Sequence, residues 1–384
     1  MSLVKSAPIP LGMVGGGQGA LIGGVHRIAA RLDGAFDLVA GALSSTAEKS
    51  RASAAELGLD PARSYGSFDE MAEAEAARPD GIRAVAIVTP NHMHAAPAIA
   101  FLRRGIHVIC DKPLTATMEE AKALAAEARA ANALFILTHN YTGYPLVRQA
   151  REMIAQGKLG RIRLVQVEYF QDWLTASVEL TGSKQAEWRT DPARSGLGGA
   201  LGDIGTHAFN LASFILGAEP SHIAADLTSF GAGRSLDDNA HVLLRYASGA
   251  RGTLLASQVA PGNENGLRIR IYGDAAGIEW AQEAPNQLWV SPIGQPRYLL
   301  SRGGAGTGTE AQRVSRIPSG HPEGYLEAFA TIYTEAARAI RAFDSGAPRD
   351  ARVTYPTIED GLKGMRFIEA CVASNRENSS WVAL

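Results

Sequence analysis

Ile9-Pro10-Leu11-Gly12-Met13-Val14-Gly15-Gly16-Gly17-Gln18-Gly19-Ala20 is the stretch whose reading decides the fold. The apolar run Ile9–Val14 reads as a β-strand, and the glycines after it open a helical pattern over Gln18–Asp33. Gly15, Gly17 and Ala20 match the spacing G-x-G-x-x-A. Gly15 permits a tight turn, Gly17 lets the backbone approach a pyrophosphate, and Ala20 allows the helix to pack closely on the sheet. A helix N-terminus attracts the anion, so Gly15, Gly17, Gln18, Gly19 and Ala20 are the expected dinucleotide-binding residues.

Downstream, short apolar runs alternate with helical patterns, as parallel strands joined by crossover helices do. Strands are expected at Phe36–Leu43, Ala84–Val88, His107–Cys110 and Leu134–Thr138, and helices at Ala47–Leu57, His94–Arg104 and Thr117–Ala130. This predicts a doubly wound Rossmann domain over residues 1–138. The end of the second strand lacks the carboxylate that would bind an adenosine ribose; Ser44, Ser45 and Thr46 stand there, with Lys49 and Arg51 nearby, so NAD or NADP fits, with a lean to dual or NADP use.

From residue 139 onward the pattern is strand after strand. After a helix near Leu146–Gln156, strands are expected at Ile162–Phe170, Ile223–Phe230, Ala240–Tyr246, Gly252–Val259, Arg268–Tyr272 and Gln287–Val290. The fold class is therefore α/β plus α+β, with residues 139–384 forming a substrate-binding and oligomerisation domain on a large, mostly antiparallel open sheet. Val242 and Leu244 share one face while Leu243 lies on the other; strands apolar on both faces require cover on both, which predicts a partner subunit on the sheet. Ile293–Gly320, rich in Gly and Arg, reads as an exposed arm, and Tyr325–Phe343 and Glu359–Ser374 as helices, the last able to pack back on the first domain.

The chain of 384 residues is 46% hydrophobic and 20% charged with a net charge of −2, a globular composition without the electrostatic footprint of a nucleic-acid or membrane binder. Cys110 and Cys371, far apart, read as core thiols of a reducing, cytoplasmic compartment. No run reaches the roughly 18 apolar residues of a membrane span, and Met1–Leu3 reads as an expression scar.

Thr89-Pro90-Asn91-His92-Met93-His94, followed by His107-Val108-Ile109-Cys110-Asp111-Lys112-Pro113, resembles the Gfo/Idh/MocA oxidoreductases, the family of glucose–fructose oxidoreductase and inositol dehydrogenase. Their mark is a strand ending in Glu-Lys-Pro; here Asp111 stands for Glu. A second mark is the glycine-rich turn Gly198-Gly199-Ala200-Leu201-Gly202 leading into Asp203-Ile204-Gly205-Thr206-His207, and a third is the late helix start Tyr355-Pro356-Thr357-Ile358-Glu359-Asp360-Gly361. The resemblance implies NAD(P) in a cleft, dimers or tetramers on the open sheet, and Thr89, Pro90, Asn91 and His94 close to the nicotinamide.

The chemistry of the residues agrees. Lys112, at the carboxyl end of a parallel strand, can hydrogen-bond a reacting oxygen and stabilise charge developing there, besides touching the cofactor. His207 suits proton transfer near neutral pH, and Asp203, four residues earlier and expected on the same helical face, can orient it and the substrate. The long polar stretch holding Asp172, Trp173, Lys184, Trp188 and Arg189 suits a sugar ring, with Asn140 and Tyr141 also facing the ligand. His92 and His94 lack the partners a metal site needs, so none is expected. The sequence thus predicts hydride transfer between nicotinamide and a secondary alcohol of a sugar, inositol or related polyol. The competing readings are a redox-assisted glycosidase or lyase with tightly bound NAD, and a non-catalytic dinucleotide-binding protein.

Overall fold

A computed structural model of the chain describes residues 7–384, so Met1–Leu3 lie outside the described residues. The first third runs β1 (Ile9–Gly15), α1 (Leu21–Leu32), β2 (Phe36–Ala42), α2 (Ala47–Glu56), α3 (Phe68–Ala77), β3 (Ala84–Val88), α4 (Ala95–Leu102), β4 (His107–Cys110), α5 (Met118–Ala130) and β5 (Phe135–Leu137). Next come α6 (Pro145–Ala155), β6 (Ile162–Phe170), α7 (Lys184–Arg189), α8 (Pro192–Ser195) and α9 (Thr206–Leu216). The strands β7 (His222–Thr228), β8 (Asn239–Arg245), β9 (Arg251–Ser257), β10 (Gly266–Gly273), β11 (Ala276–Ala281), β12 (Gln287–Pro292) and β13 (Tyr298–Ser301) follow. The chain closes with α10 (Thr309–Val314), α11 (Tyr325–Asp344), α12 (Ile358–Arg376) and β14 (Val382–Ala383). Two compact units result, one of residues up to 115, 119–140 and 325–362, the other of residues 116–118, 141–324 and 363–384.

The first unit is a five-stranded parallel sheet in the order β2-β1-β3-β4-β5. β3, Ala-Val-Ala-Ile-Val, is buried at every position, as a central parallel strand covered on both faces must be. α1 packs against α11, from far along the chain: Ala29 and Ala30 share one core with Phe329, Tyr333, Ala336 and Ala337, their small side chains letting the two helices approach. α1 starts at Leu21 and not at Gln18, because Gly15, Gly16 and Gly19 all adopt positive φ, a path no helix follows.

The second unit is a nine-stranded sheet in the order β13-β12-β11-β10-β6-β9-β8-β7-β14. Every neighbouring pair is antiparallel except β6 with β9. One face buries Val165, Val167, Leu254, Ile269 and Ile271, with α9 packed on β6 and β9 and α6 beside it. Leu164 and Leu243, on the other face, are 50% and 52% exposed.

Two elements differ in kind from what the sequence suggests. α3 is a helix without a strong apolar period; it is fixed at its start, where Ser67 Oγ accepts the Glu70 N–H at 3.2 Å and Glu70 Oε2 accepts the Gly66 N–H at 2.8 Å. Ile293–Gly320 is largely exposed, as expected, but it is not irregular, since it contains β13 and α10. Its order comes from a polar staple: the Arg302 guanidinium, 2% exposed, donates to Asn286 Oδ1 at 2.8 Å and to the carbonyls of Ile317 and Pro318 at 2.8 and 3.0 Å. Buried Glu323 pairs with it at 2.9 Å. Such order leaves no trace in apolar spacing. β11 was likewise unannounced, and the remaining boundaries move by up to two or three residues at most ends. Among the described residues no helix is long and apolar enough to cross a membrane.

Candidate active site

In the first unit the strand order reverses between β1 and β3, the place where open α/β sheets bind ligands at their carboxyl edge. Gly15 ends β1 there, and a Cβ on it would stand 2.8 Å from Thr89 Cγ2 after β3. The glycine requirements differ from the sequence reading in two details. A Cβ on Gly17 would meet the Leu43 carbonyl and Ser53 Oγ, both at 2.6 Å, so Gly17 serves the approach of β2 and α2. The tight helix packing falls on Gly23, whose Cβ would lie 2.4 Å from the Gly16 Cα, and not on Ala20, which is the N-cap residue. Gly19 has open space around it, and Ala20 at the N-cap makes no side-chain hydrogen bond to the α1 N-terminus. Exposed helical N–H groups beside a glycine turn are what a pyrophosphate needs, so these residues fit a dinucleotide.

Gln18 turns outward, its backbone N–H on Ser53 Oγ at 3.1 Å and its side-chain amide on Glu56. Ser44 is half-buried and Ser45 exposed after β2, while Thr46 caps α2 by accepting the Lys49 N–H at 3.4 Å. Thr89 donates to the Met93 carbonyl at 2.8 Å, Pro90 is half-buried and Asn91 buried. His94 is fully buried: Nδ1 lies 2.9 Å from the Pro113 carbonyl and Nε2 2.8 Å from the Thr89 carbonyl, so the ring staples the turn after β3 to the turn after β4. Burial pushes its pKa down.

Lys112 is half-buried just beyond β4. Asp111 Oδ1 accepts its backbone N–H and the Thr138 hydroxyl, both at 2.9 Å. His139 is held neutral, its pKa pushed to about 4 by burial and then by the Lys112 ammonium. Beside it, Asn140 is 1% exposed and its amide nitrogen has no hydrogen-bond partner among the described residues.

In the second unit one sheet edge gathers the polar groups. Phe170 of β6 pairs with Ser257 of β9 in parallel register and with Gly266 of β10, so Gln171, Gln258 and Asn265 emerge together. Asn239 of β8 pairs with Ser257, which brings Asp237 to the same edge. Asp237 Oδ1 and Oδ2 accept the Gly199 and Leu201 N–H groups, each at 2.7 Å, and a Cβ on Gly199 would collide with the Asp237 carbonyl at 2.0 Å. Burial pushes the Asp237 carboxyl up to about 6. The turn thus clamped, Leu201–Gly205, is π-helical; Asp203 lies in it and His207 in α9, so the pair does not share one continuous α-helical face.

Asp203 Oδ2 accepts from Gln258 Nε2 at 2.9 Å and Arg189 Nε at 3.2 Å. Gln171 Oε1 takes the Trp173 Nε1–H at 3.1 Å and Gln258 Nε2 at 3.3 Å, while Gln171 Nε2 donates to Asn265 Oδ1 at 3.0 Å. Tyr169 donates to the same oxygen at 2.6 Å, so Tyr141 is the donor in its 2.6 Å contact with Tyr169. The His207 ring packs edge-on against Tyr141 at 4.7 Å between centroids. The Arg189 guanidinium lies 4.2 Å above Trp188 and 6.0 Å from Trp173.

Tyr141, Trp173, Trp188, Arg189, Asp203 and His207 therefore fall in one connected group. Gln171, Gln258 and Asn265, which sequence reasoning missed, are its links. Only strand pairing brings them together; each follows or precedes a strand with no local motif.

A parallel sheet with a dinucleotide turn, coupled in one chain to an open antiparallel sheet bearing an Asp/His group, defines an NAD-binding oxidoreductase. Residues 9–139 match the oxidoreductase family NAD-binding Rossmann fold, and residues 147–279 match the GFO/IDH/MocA C-terminal domain. The chain belongs to the GFO/IDH/MocA oxidoreductase family. An uncharacterized oxidoreductase, YfiI of Bacillus subtilis, is 37% identical over 99% of this chain and 98% of its own. The crystal structure of an oxidoreductase from Sinorhizobium meliloti is 58% identical, covers 98% of this chain and 100% of its own, and superposes with a TM-score of 0.88. An inositol dehydrogenase homolog from Azotobacter vinelandii, complexed with NADH and myo-inositol, is 39% identical with a TM-score of 0.92, over 99% of this chain and 98% of its own.

Proposed function

We propose that this chain catalyses reversible hydride transfer between nicotinamide and a secondary alcohol of an inositol, a sugar or a related polyol. The observation that carries the reading is the set of oriented groups around Asp203, whose donors and aromatic faces match a polyhydroxylated ring; the myo-inositol complex of the Azotobacter homolog supports it. When bound, the cofactor supplies a hydride acceptor or donor at the nicotinamide ring.

In oxidation His207 takes the hydroxyl proton, its imidazole held by the Tyr141 ring. Asp203, fixed by Gln258 and Arg189, orients the base and accepts a substrate hydroxyl. Lys112 donates to the reacting oxygen and stabilises the charge developing on it. Gly15, Gly17, Gln18, Gly19, Ala20, Ser44, Ser45, Thr89, Pro90, Asn91 and His94 form or support the cofactor site, and the Asn140 amide supplies a further donor at the same edge. NADP is accepted beside NAD, since the Ser44-Ser45-Thr46 turn carries no carboxylate and Lys49 and Arg51 are exposed next to it. The open sheet face around Leu164 and Leu243 associates with a second copy, giving a dimer or tetramer, and two buried free thiols fit the reducing cytoplasm.

A panel of inositols, polyols and sugars assayed with NAD and NADP by nicotinamide absorbance tests the reading. Accumulation of reduced cofactor with substrate is expected; product release without it favours a glycosidase or lyase, and tight NADH binding with no turnover on any compound favours a non-catalytic binder. Lys112→Ala should abolish measurable turnover, a loss of about a hundredfold or more, while NADH binding persists.

A further inference from the structure

His26 lies in α1, fully buried in the first unit, 85 positions before Asp111 in the chain. Its Nδ1 is 2.8 Å from the hydroxyl of Tyr333 on α11, and its ring sits against Phe329 at 5.0 Å between centroids. Nε2 points the other way and has no hydrogen-bond partner among the described residues, standing 4.0 Å from Asp111 Oδ1. That same oxygen accepts the Lys112 backbone N–H and the Thr138 hydroxyl.

The carboxylate decides how this imidazole carries its proton. Burial pushes the His26 pKa down against the pull of Asp111, so the ring is neutral and holds one N–H. Were that proton on Nδ1, a lone pair on Nε2 would face the carboxylate, and both would repel. With Tyr333 donating to Nδ1, the N–H lies on Nε2 and its dipole points at Asp111. A buried N–H without an acceptor is unfavourable, and the nearby carboxylate offsets part of that cost.

Tyr333, His26 and Asp111 thus form a line of polarised groups that ends on the backbone of Lys112. We infer that His26 is a positioning residue for Lys112, acting through the Asp111 carboxylate. The inference rests on the proposed role of Lys112 at the reacting oxygen, yet the placement of the lysine can be read without turnover.

The test uses full-length wild type, His26→Leu, His26→Gln and Tyr333→Phe. Competitive acetylation with acetic anhydride, followed by mass spectrometry, compares Lys112 with the exposed Lys122 and Lys158; kcat and KM are measured with myo-inositol and NAD, and NADH affinity separately. His26→Leu should change the relative reactivity of Lys112 by about threefold or more and lower kcat about tenfold, with KM for NAD and NADH affinity within about threefold of wild type. His26→Gln, which restores an N–H at similar reach, should recover most of both. A folded His26→Leu protein with wild-type Lys112 reactivity and kcat overturns the proposal, as does a His26→Gln protein no better than His26→Leu. Should His26→Leu fail to fold, Tyr333→Phe carries the test, because it removes only the hydroxyl that sets the tautomer; unchanged Lys112 reactivity there overturns the proposal. A wild-type protein inactive on myo-inositol counts against the polyol reading, while the acetylation pattern still decides the role of His26.

Discussion

Lys112 and Asp203 are held in opposite ways. Around Lys112 the first unit packs buried imidazoles, His26, His94 and His139, each with its pKa pushed down by burial, so these rings add no positive charge near neutral pH. Around Asp203 the second unit arranges amides and phenols in directed hydrogen bonds, with Arg189 bonded to the carboxylate. One group is set by excluding water from titratable rings, the other by a directed network. The first should therefore respond to acid, and the second to loss of single hydrogen bonds.

The largest effect is expected at the junction of chemistry and network. His207→Ala removes the proposed base and should lower kcat by about a hundredfold to ten-thousandfold, leaving NADH affinity intact in a fluorescence titration. Next is the acid response of the first unit. His139 is neutral in the fold down to a pKa of about 4, whereas in the unfolded chain it binds a proton from about 6.5 downward. Stability is therefore full above about pH 6.5 and lost as pH falls toward 4, by about 3 kcal/mol from this residue. Urea unfolding at both ends of that window should show the loss, and His139→Phe should shrink it; an equal loss in the variant would erase the contrast between the two regions.

A smaller change tests the network. Gln258→Leu removes one donor to the Asp203 carboxylate and should reduce kcat/KM by about tenfold to a hundredfold, with melting temperature nearly held. Tyr169→Phe should be mildest, a few-fold at about 1 kcal/mol, since it breaks the link from Tyr141 to Asn265 and leaves the Asp203 donors in place. If it proves as damaging as Gln258→Leu, the network acts as one cooperative unit.

Much of this architecture can be read from the chain because its signals are local. The glycine turn at 15–20, the fully apolar β3 and the strand-end Asp111-Lys112-Pro113 each carry their meaning within a few residues. So do Gly199 and Asp203. What could not be read depends on pairing between distant segments: Gln171, Gln258 and Asn265 meet because β6, β9 and β10 share an edge, and Arg302 orders residues 298–323 by capturing carbonyls. α3 is a different case, for Ser67-Phe68-Asp69-Glu70 carries a capping signature in plain sequence while the apolar spacing that follows is weak.

The packing of α11 on α1 sets an order of events at the ribosome. His26 meets Tyr333 across 307 positions, and Phe329, Tyr333 and Ala336 belong to the same core as β1 and β3. A nascent chain that has emerged only through β5 thus has an unfinished nucleotide-binding half, its α1 apolar stripe still bare, until most of the polypeptide has been synthesised. Holding that stripe from misassociation in the interval falls to chaperones or to rapid docking once α11 appears.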